Sequence, residues 1–250
     1  DPEVTYIHNA KQFRTLITAN PAGTFKLACN IDLAGGWATT GASAVLANEF
    51  TGVLDGNGYS VSNAWMPGGW NKGLFTYNKG TIQNIAFINF YATNQVYDTA
   101  LVSFNQGTMK NIYVDYILVT ANGYGENGGV LAAYADANSL MQNCIVNLRK
   151  ENGETVVAAN QGAIFGRAQS WTGIVQNCYA ITNDTGLTSI AYSEAAPGVI
   201  DWQVNTNGSN LFTTLALLKQ NADLSGYDAS MWTITDKTIQ FGYNTVLTVA

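Results

Sequence analysis

The sequence predicts an all-β protein, a right-handed parallel β-helix (solenoid) in which each coil stacks on the next. Three observations carry this expectation. A short motif recurs along the chain, and an asparagine holds the same place in each copy. Only 11% of the 250 residues are charged, against roughly 25% in an average globular chain. Asn, Thr, Ser and Gly stand where a helical protein would carry Lys and Glu, and these types favour turns and strands. Apolar residues make up 47% of the chain, enough for one large core.

Four segments read alike. They begin Gly73-Leu-Phe-Thr-Tyr-Asn-Lys-Gly-Thr-Ile-Gln-Asn, Ala100-Leu-Val-Ser-Phe-Asn-Gln-Gly-Thr-Met-Lys-Asn, Gly129-Val-Leu-Ala-Ala-Tyr and Gly162-Ala-Ile-Phe-Gly-Arg. Tyr59-Ser-Val-Ser-Asn-Ala-Trp-Met is an earlier, weaker copy. Aligned on the asparagine, the copies give Asn63, Asn84, Asn111, Asn143 and Asn177, in steps of 21, 27, 32 and 34 residues. Apolar residues flank each asparagine, two before and one after, and the next apolar residue follows at period two, the pattern of a strand with one buried face. A unit this thin buries its face only against a neighbouring coil. At a bend, each asparagine amide can then bond its equivalent about 4.8 Å away, so the five are expected to form one internal ladder. The upstream apolar pair lies 10 residues before Asn84 and Asn111 but 13 before Asn143 and Asn177, which places the growth in the turns at residues 135–139 and 168–172. Cys144 and Cys178 occupy matching positions and are expected as buried neighbours, with no disulfide between them.

The ends should be capped. Asn9 is placed to cap a helix over Ala10–Ala19, with Phe13, Leu16 and Ile17 on one face and Asn20-Pro21-Ala22-Gly23 as the stop. Residues 24–33 alternate as an entry strand. Residues 210–219 read as helical, and strands around Met231-Trp-Thr-Ile and Thr238-Ile-Gln-Phe complete a C-terminal helix-plus-strand cap. The expected plan is a single domain over residues 1–250: cap and entry strand to 48, coils over 49–182, and the last coil and C-terminal cap over 183–250. The chain starts at Asp1, which suggests a processed or trimmed product.

Phe50-Thr-Gly-Val-Leu-Asp-Gly-Asn-Gly-Tyr-Ser-Val-Ser-Asn63 resembles the opening of proteins with GLUG-type repeats. The segment from Gly73 to Ile85 is similar to the repeat itself, and Gln176-Asn-Cys-Tyr-Ala180 to one of its variants. Ile31-Asp32-Leu33 and Met231-Trp-Thr resemble the family's entry and end. The likeness spans nearly the whole chain, although the family's Gly-Gly-Leu-Val/Phe-Gly run is reduced here to Gly-Leu-Phe, Ala-Leu-Val, Gly-Val-Leu and Gly-Ala-Ile. It implies a β-helix. In function it spans bacterial surface proteins and adhesins, modules beside protease domains, polysaccharide-degrading enzymes and phage structural proteins.

Chemistry is sparse in the sequence. Glycoside hydrolysis needs two carboxylates about 5–10 Å apart. Asp98, Glu126 and Asp136 fall in predicted turns, where solvated acids are ordinary, and Asp115 is the only acid at its offset from the ladder asparagine. Asp55-Gly56-Asn57-Gly58 lacks the acids of a calcium loop and reads as a tight turn. The single histidine, His8, precedes the first helix, and the three cysteines form no metal motif. No catalytic residue, metal or cofactor is therefore predicted. Aromatics outside the buried columns (Trp65, Trp70, Tyr91, Tyr97, Tyr113, Tyr116, Tyr124 and Trp171) suit a binding face. The candidate ligand contacts are Trp65, Trp70, Tyr97, Tyr124 and Trp171, with Asp98 and Asp136. The lengthened turns after Tyr91, Val119, Tyr134 and Arg167 are the expected seat of function.

The net charge of -6 and scattered basic residues argue against nucleic acid. No run of 18 apolar residues is present to span a membrane as a helix. The expectation is a non-catalytic attachment or structural module of an adhesin or of a phage virion fibre or spike, located extracellularly, at a cell surface or on a virion. Its expected partners are a glycan or a host or virion surface protein, or further copies in a homotrimer or array. The alternatives are a polysaccharide hydrolase or lyase working in a lateral groove, and an inert spacer or capsid-associated protein.

Overall fold

The computed structural model describes residues 3–34, 46–66, 73–92, 101–118, 129–136, 138–150, 162–168, 174–183 and 210–249. The elements in order are β1 (Val4–Ile7), α1 (Ala10–Ala19), β2 (Thr24–Leu27), β3 (Ile31–Asp32), β4 (Ala47–Phe50), β5 (Val53–Asp55), β6 (Ser60–Met66), β7 (Phe75–Asn78), β8 (Thr81–Ala92), β9 (Val102–Asn105) and β10 (Thr108–Leu118). They continue as β11 (Ala132–Ala135), β12 (Leu140–Gln142), β13 (Ile145–Lys150), β14 (Phe165–Ala168), β15 (Ile174–Gln176), β16 (Tyr179–Thr182), β17 (Asn210–Phe212), α2 (Leu215–Asn221), β18 (Trp232–Ile234), β19 (Thr238–Phe241) and β20 (Asn244–Thr248). The chain is a parallel β-helix of about 4 turns. A 12-stranded sheet forms its long side and a 5-stranded sheet, β14-β11-β9-β7-β4, forms another.

Register explains the core. Leu54, Ile82, Met109, Met141 and Val175 stack strand over strand, as do Phe87, Val114, Val146 and Ala180. All are buried, and each of them except the small Ala180 contributes roughly 1.5–3 kcal/mol of apolar burial. Cys144 and Cys178 lie buried as free thiols, and burial together with the neighbouring Cys178 pushes the Cys144 thiol up. Helix α1 spans Ala10–Ala19, its Asn9 side chain accepts from the Gln12 amide, and Phe13 and Ile17 are buried.

The asparagines do two jobs. Among the described residues, eight of the nine non-glycine positions with positive φ are Asn, Ala34 being the other. Asn tolerates the left-handed conformation because its short amide bonds locally. At one corner, Asn111 Nδ2 donates to Asn84 Oδ1 (3.1 Å), and Asn84 Nδ2 donates to Asp55 Oδ1 (3.2 Å). Asn143 instead donates to the Gly226 carbonyl (2.7 Å). Asn63 does not belong to this corner, which corrects the five-member ladder. Pairing of β6 with β8 sets Ser62 against Ile88 and Ala64 against Phe90, so Asn63 stacks with Asn89. A second ladder results, with Asn63 donating to Asp32 Oδ1 (2.9 Å) and Asn89 to Asn63 Oδ1 (3.2 Å). The short first step of the sequence alignment came from joining two corners. Replacing Asn111 by Ala is expected to cost about 2–3 kcal/mol, combining a strained left-handed residue with an orphaned Asn84 oxygen. Asn111→Gly should cost only about 1 kcal/mol, since glycine keeps the conformation. Urea midpoints of the two variants would check this, and equal losses would contradict it.

The C-terminal segment was expected as an end cap. The expected helix and strands are present, with β17 paired to β16 on the last coil, and the segment continues as a strap along the side of the solenoid. α2 starts at Leu215, capped by the Thr214 hydroxyl, and β17 occupies Asn210–Phe212, so the predicted helix is shorter and later. β18, β19 and β20 form an antiparallel sheet. The strap covers an outward column of Ala86, Tyr113, Ile145 and Tyr179 with Phe212, Leu215, Leu218, Tyr227, Trp232 and Phe241. It is tied at both ends. Tyr227 Oη donates towards the Asn177 and Cys144 carbonyls (2.7 and 3.2 Å), and Tyr179 Oη donates to the Asp223 carbonyl (2.9 Å). Far along the axis, the Tyr243 amide donates to the Gly58 carbonyl (3.1 Å), and Asn244 and Asn30 exchange side-chain amide bonds.

A lateral cleft between solenoid and strap

The second asparagine ladder leads into a cleft of about 490 Å³ between the long sheet and the strap. Its floor carries Asn89, Asp115, Asn147 and Arg149; Thr182, Leu215, Val246 and Thr248 are among its walls. The floor follows from strand pairing. β8 bulges against β10, so Ile88 and Asn89 together face Asp115, and Asn89 adopts φ 54°. Such a bulge re-aims the local backbone. Here it directs the Asn89 amide at Asp115 Oδ2 (3.4 Å). In the next coil Asn147 lies directly opposite Asp115, with Arg149 two residues further along the same face.

Asp115 is only 4% exposed, and a buried carboxylate needs compensating donors. Asn147 Nδ2 reaches Oδ1 at 3.0 Å. Arg149 closes a two-pronged pair, Nε to Oδ1 at 3.0 Å and Nη2 to Oδ2 at 2.6 Å. Desolvation works against the Arg149 charge, but the bond to Asp115 and its negative charge outweigh it and hold the guanidinium above its usual value. Beneath the strap, burial first and the Asp115 charge second raise the Tyr113 phenol well above its ordinary range. Asp115→Ala is expected to lower stability by about 2 kcal/mol, discounted because Arg149 is half-exposed and can rehydrate. Thermal unfolding of Asp115→Ala beside Asp115→Asn would check it; Asn retains one acceptor and should lose less.

Beside this floor runs the column Trp65, Tyr91, Ile117 and Arg149. Trp65 and Tyr91 stack with centroids 4.9 Å apart and planes 16° apart, and Trp65 remains 38% exposed. Of the sequence candidates, Trp65 therefore stands on the same face as the cleft. Asp136 does not. It sits in the turn after β11, where its carboxylate accepts from Gln106 Nε2 (2.8 Å). Trp70, Tyr97, Asp98, Tyr124 and Trp171 lie outside the described residues, as does Glu126. Tyr113 and Tyr116, expected on the surface, are fully buried, Tyr113 under the strap and Tyr116 in the main core. Asn89, Asn147 and Arg149 were missed. Asp115 and Asn147 share an offset of four from their ladder asparagines, which was the available signal.

Fold and site together define a strap-clasped parallel β-helix with a polar lateral cleft. No family model matches the chain, and no curated protein matches it. Among solved structures it is similar to the crystal structure of a Bacteroides ovatus protein described as a "putative immunoglobulin A1 protease". The TM-score is 0.50 over 92% of this chain and 89% of that one, at 14% identity. This likeness bears on the fold alone.

Proposed function

We propose that the chain is a non-catalytic attachment module, an extracellular β-helix of an adhesin or virion fibre that holds a glycan or protein against its side. The observation that carries the reading is the half-exposed Trp65–Tyr91 stack on the face that also bears the Asp115–Arg149 cleft. A flat aromatic pair beside a polar hollow suits a ligand with both apolar and hydrogen-bonding faces. The rigid register of the coils holds the two parts in fixed relation, which limits the ordering cost of binding.

The name of the Bacteroides ovatus neighbour raises proteolysis, and the lateral groove raises polysaccharide cleavage. Among the described residues, Asp115 is the only acid lining the cleft, and no Ser, Cys or His lines it. Both Asp115 oxygens are also taken up by four donors from this chain, which leaves little room for a substrate proton to reach them. A screen of the protein against immobilised glycans and surface proteins tests the reading. Specific attachment, weakened at least about tenfold by Trp65→Ala, is expected, in line with a loss of about 1.4 kcal/mol of aromatic contact. Attachment to nothing would favour the inert spacer, and turnover of a bound polymer would favour the enzyme.

A further inference from the structure

We propose that the cleft between the strap and the Asn89–Asp115–Arg149 floor is a subsite for one neutral pyranoside unit, with Trp65–Tyr91 receiving the adjoining part of the same glycan. This rests on the attachment reading and assigns a chemical class to its ligand.

Charge selects against ions. The Asp115 carboxylate is matched by Arg149 at 2.6 and 3.0 Å, so the floor is polar but close to neutral. An anionic ligand finds no net positive charge, because Asp115 offsets Arg149, and a cationic one finds no open carboxylate, because Asp115 is 4% exposed and already bonded to four donors. Polar capacity remains after the internal bonds are made. Arg149 uses Nε and one Nη2 proton on Asp115, and a guanidinium carries five N–H groups, so donors are left at its half-exposed end. Thr214 Oγ1 accepts from the Leu217 amide as a helix cap, which leaves its hydroxyl proton to donate. Thr213 and Thr248 present hydroxyls at the rim. The opposite requirement is met by Ile88, Ile181, Leu215 and Val246, which give the same hollow apolar walls. A pyranose ring has this division, with hydroxyls at its edge and C–H groups on its faces. The volume of about 490 Å³ suits a small ligand rather than a folded partner. A charged peptide side chain would fit the neutral floor poorly, which favours the sugar over a protein epitope.

The test is saturation-transfer NMR of the intact protein with methyl glycosides of glucose, galactose, mannose and N-acetylglucosamine, beside glucuronate and sialic acid. Each is supplied at about 10 mM, which would largely fill a site of millimolar affinity. At least one neutral glycoside should bind, and the acidic sugars should bind at least about tenfold more weakly. Arg149→Met removes the guanidinium while keeping the stem, and should abolish the signal. Val249→Trp is an independent block, because Val249 lines the cleft yet is 40% exposed, so its replacement should spare the fold. It should remove glycoside binding with an unchanged melting temperature. Tighter binding of the acidic sugars would overturn the neutral class. If the protein attaches to glycans through Trp65 while Val249→Trp leaves glycoside binding intact, the cleft is not the subsite and the attachment reading stands. Attachment only to protein surfaces, insensitive to every glycoside, would also overturn the subsite. If nothing attaches, the attachment reading itself falls.

Discussion

Gly80→Ala is expected to be among the most damaging single substitutions in the chain, costing about 4 kcal/mol or preventing folding. A Cβ at Gly80 would lie 2.1 Å from the Gly52 carbonyl oxygen. One at Gly52 would lie 2.1 Å from the Gly23 oxygen, and one at Gly107 2.2 Å from the Gly80 oxygen. These glycines form a column at the entry to successive strands, linked as the Thr81 amide donates to Gly52 and the Thr108 amide to Gly80, both at 2.9 Å. The obstruction is steric, because the backbone of the coil beneath occupies the place of the side chain. Backbone cannot swing aside as a flexible side chain can, so the coils would have to part and break the parallel ladder on both sides. Overpacking of an ordinary core costs about 1–3 kcal/mol, and losses above about 4 mark a rigid obstruction. The column ends where the turn lengthens: Ser139 takes the next place, and the Leu140 amide still donates to Gly107 at 2.9 Å. Gly226→Ala is the control. Its nearest obstacle is the Asn177 amide nitrogen at 3.3 Å, the end of a side chain, and the loss should stay within about 1 kcal/mol. Urea unfolding of the pair decides the matter, and a Gly80→Ala protein as stable as Gly226→Ala would refute the column.

That column shows where sequence reading reaches and where it stops. The repeat, the capped helix at Asn9 and the stacking of Met109, Met141 and Val175 were legible because they follow from local period and capping chemistry. The place of Asn63 was not. A left-handed asparagine looks the same at either corner, and only the pairing of Ser62 with Ile88 shows which corner it serves. Tyr113 was misplaced for a related reason. Period two says that it faces outward from the solenoid, but a segment about a hundred residues later decides that it is covered. The pairing of Asp115 with Asn147 and Arg149 spans 32 and 34 residues, one coil, and the coils differ in length. A constant repeat length therefore fails to bring the three together, whereas counting from each ladder asparagine sets Asp115 opposite Asn147, and strand register adds Arg149.

Ending the chain after residue 209 should have the largest effect of all, making the protein self-associate. The strap is the cover of an outward column whose members Ala86, Tyr113, Ile145 and Tyr179 are all 0% exposed in its presence. Without it, a continuous apolar and aromatic stripe across four neighbouring strands would face water. Stripes of this kind mark interaction or aggregation surfaces in monomers. The side chains lost with the strap include Phe212, Leu215, Leu218, Tyr227, Trp232 and Phe241. At about 1.5–3 kcal/mol of burial each, their gross contribution is comparable to the entire net stability of a typical domain. Point changes should grade the effect. Trp232→Ala, removing a ring packed edge-on to Tyr227 and Phe241 at 5.1 and 4.6 Å, should cost about 3–5 kcal/mol. Tyr227→Phe keeps the ring but loses its bonds to Asn177 and Cys144; the Cys144 carbonyl still accepts from the Tyr179 amide, so only the half-buried Asn177 carbonyl loses its donor, and the cost should be about 1 kcal/mol. Because that hydroxyl ties the strap to the last coil, hydrogen exchange should show the two opening together in Tyr227→Phe while the coils around Ile82 and Ile112 stay protected. Light scattering and dye binding read the truncation. A truncated chain that stays monomeric, binds no hydrophobic dye and melts at the full-length temperature would show that the solenoid stands without its strap.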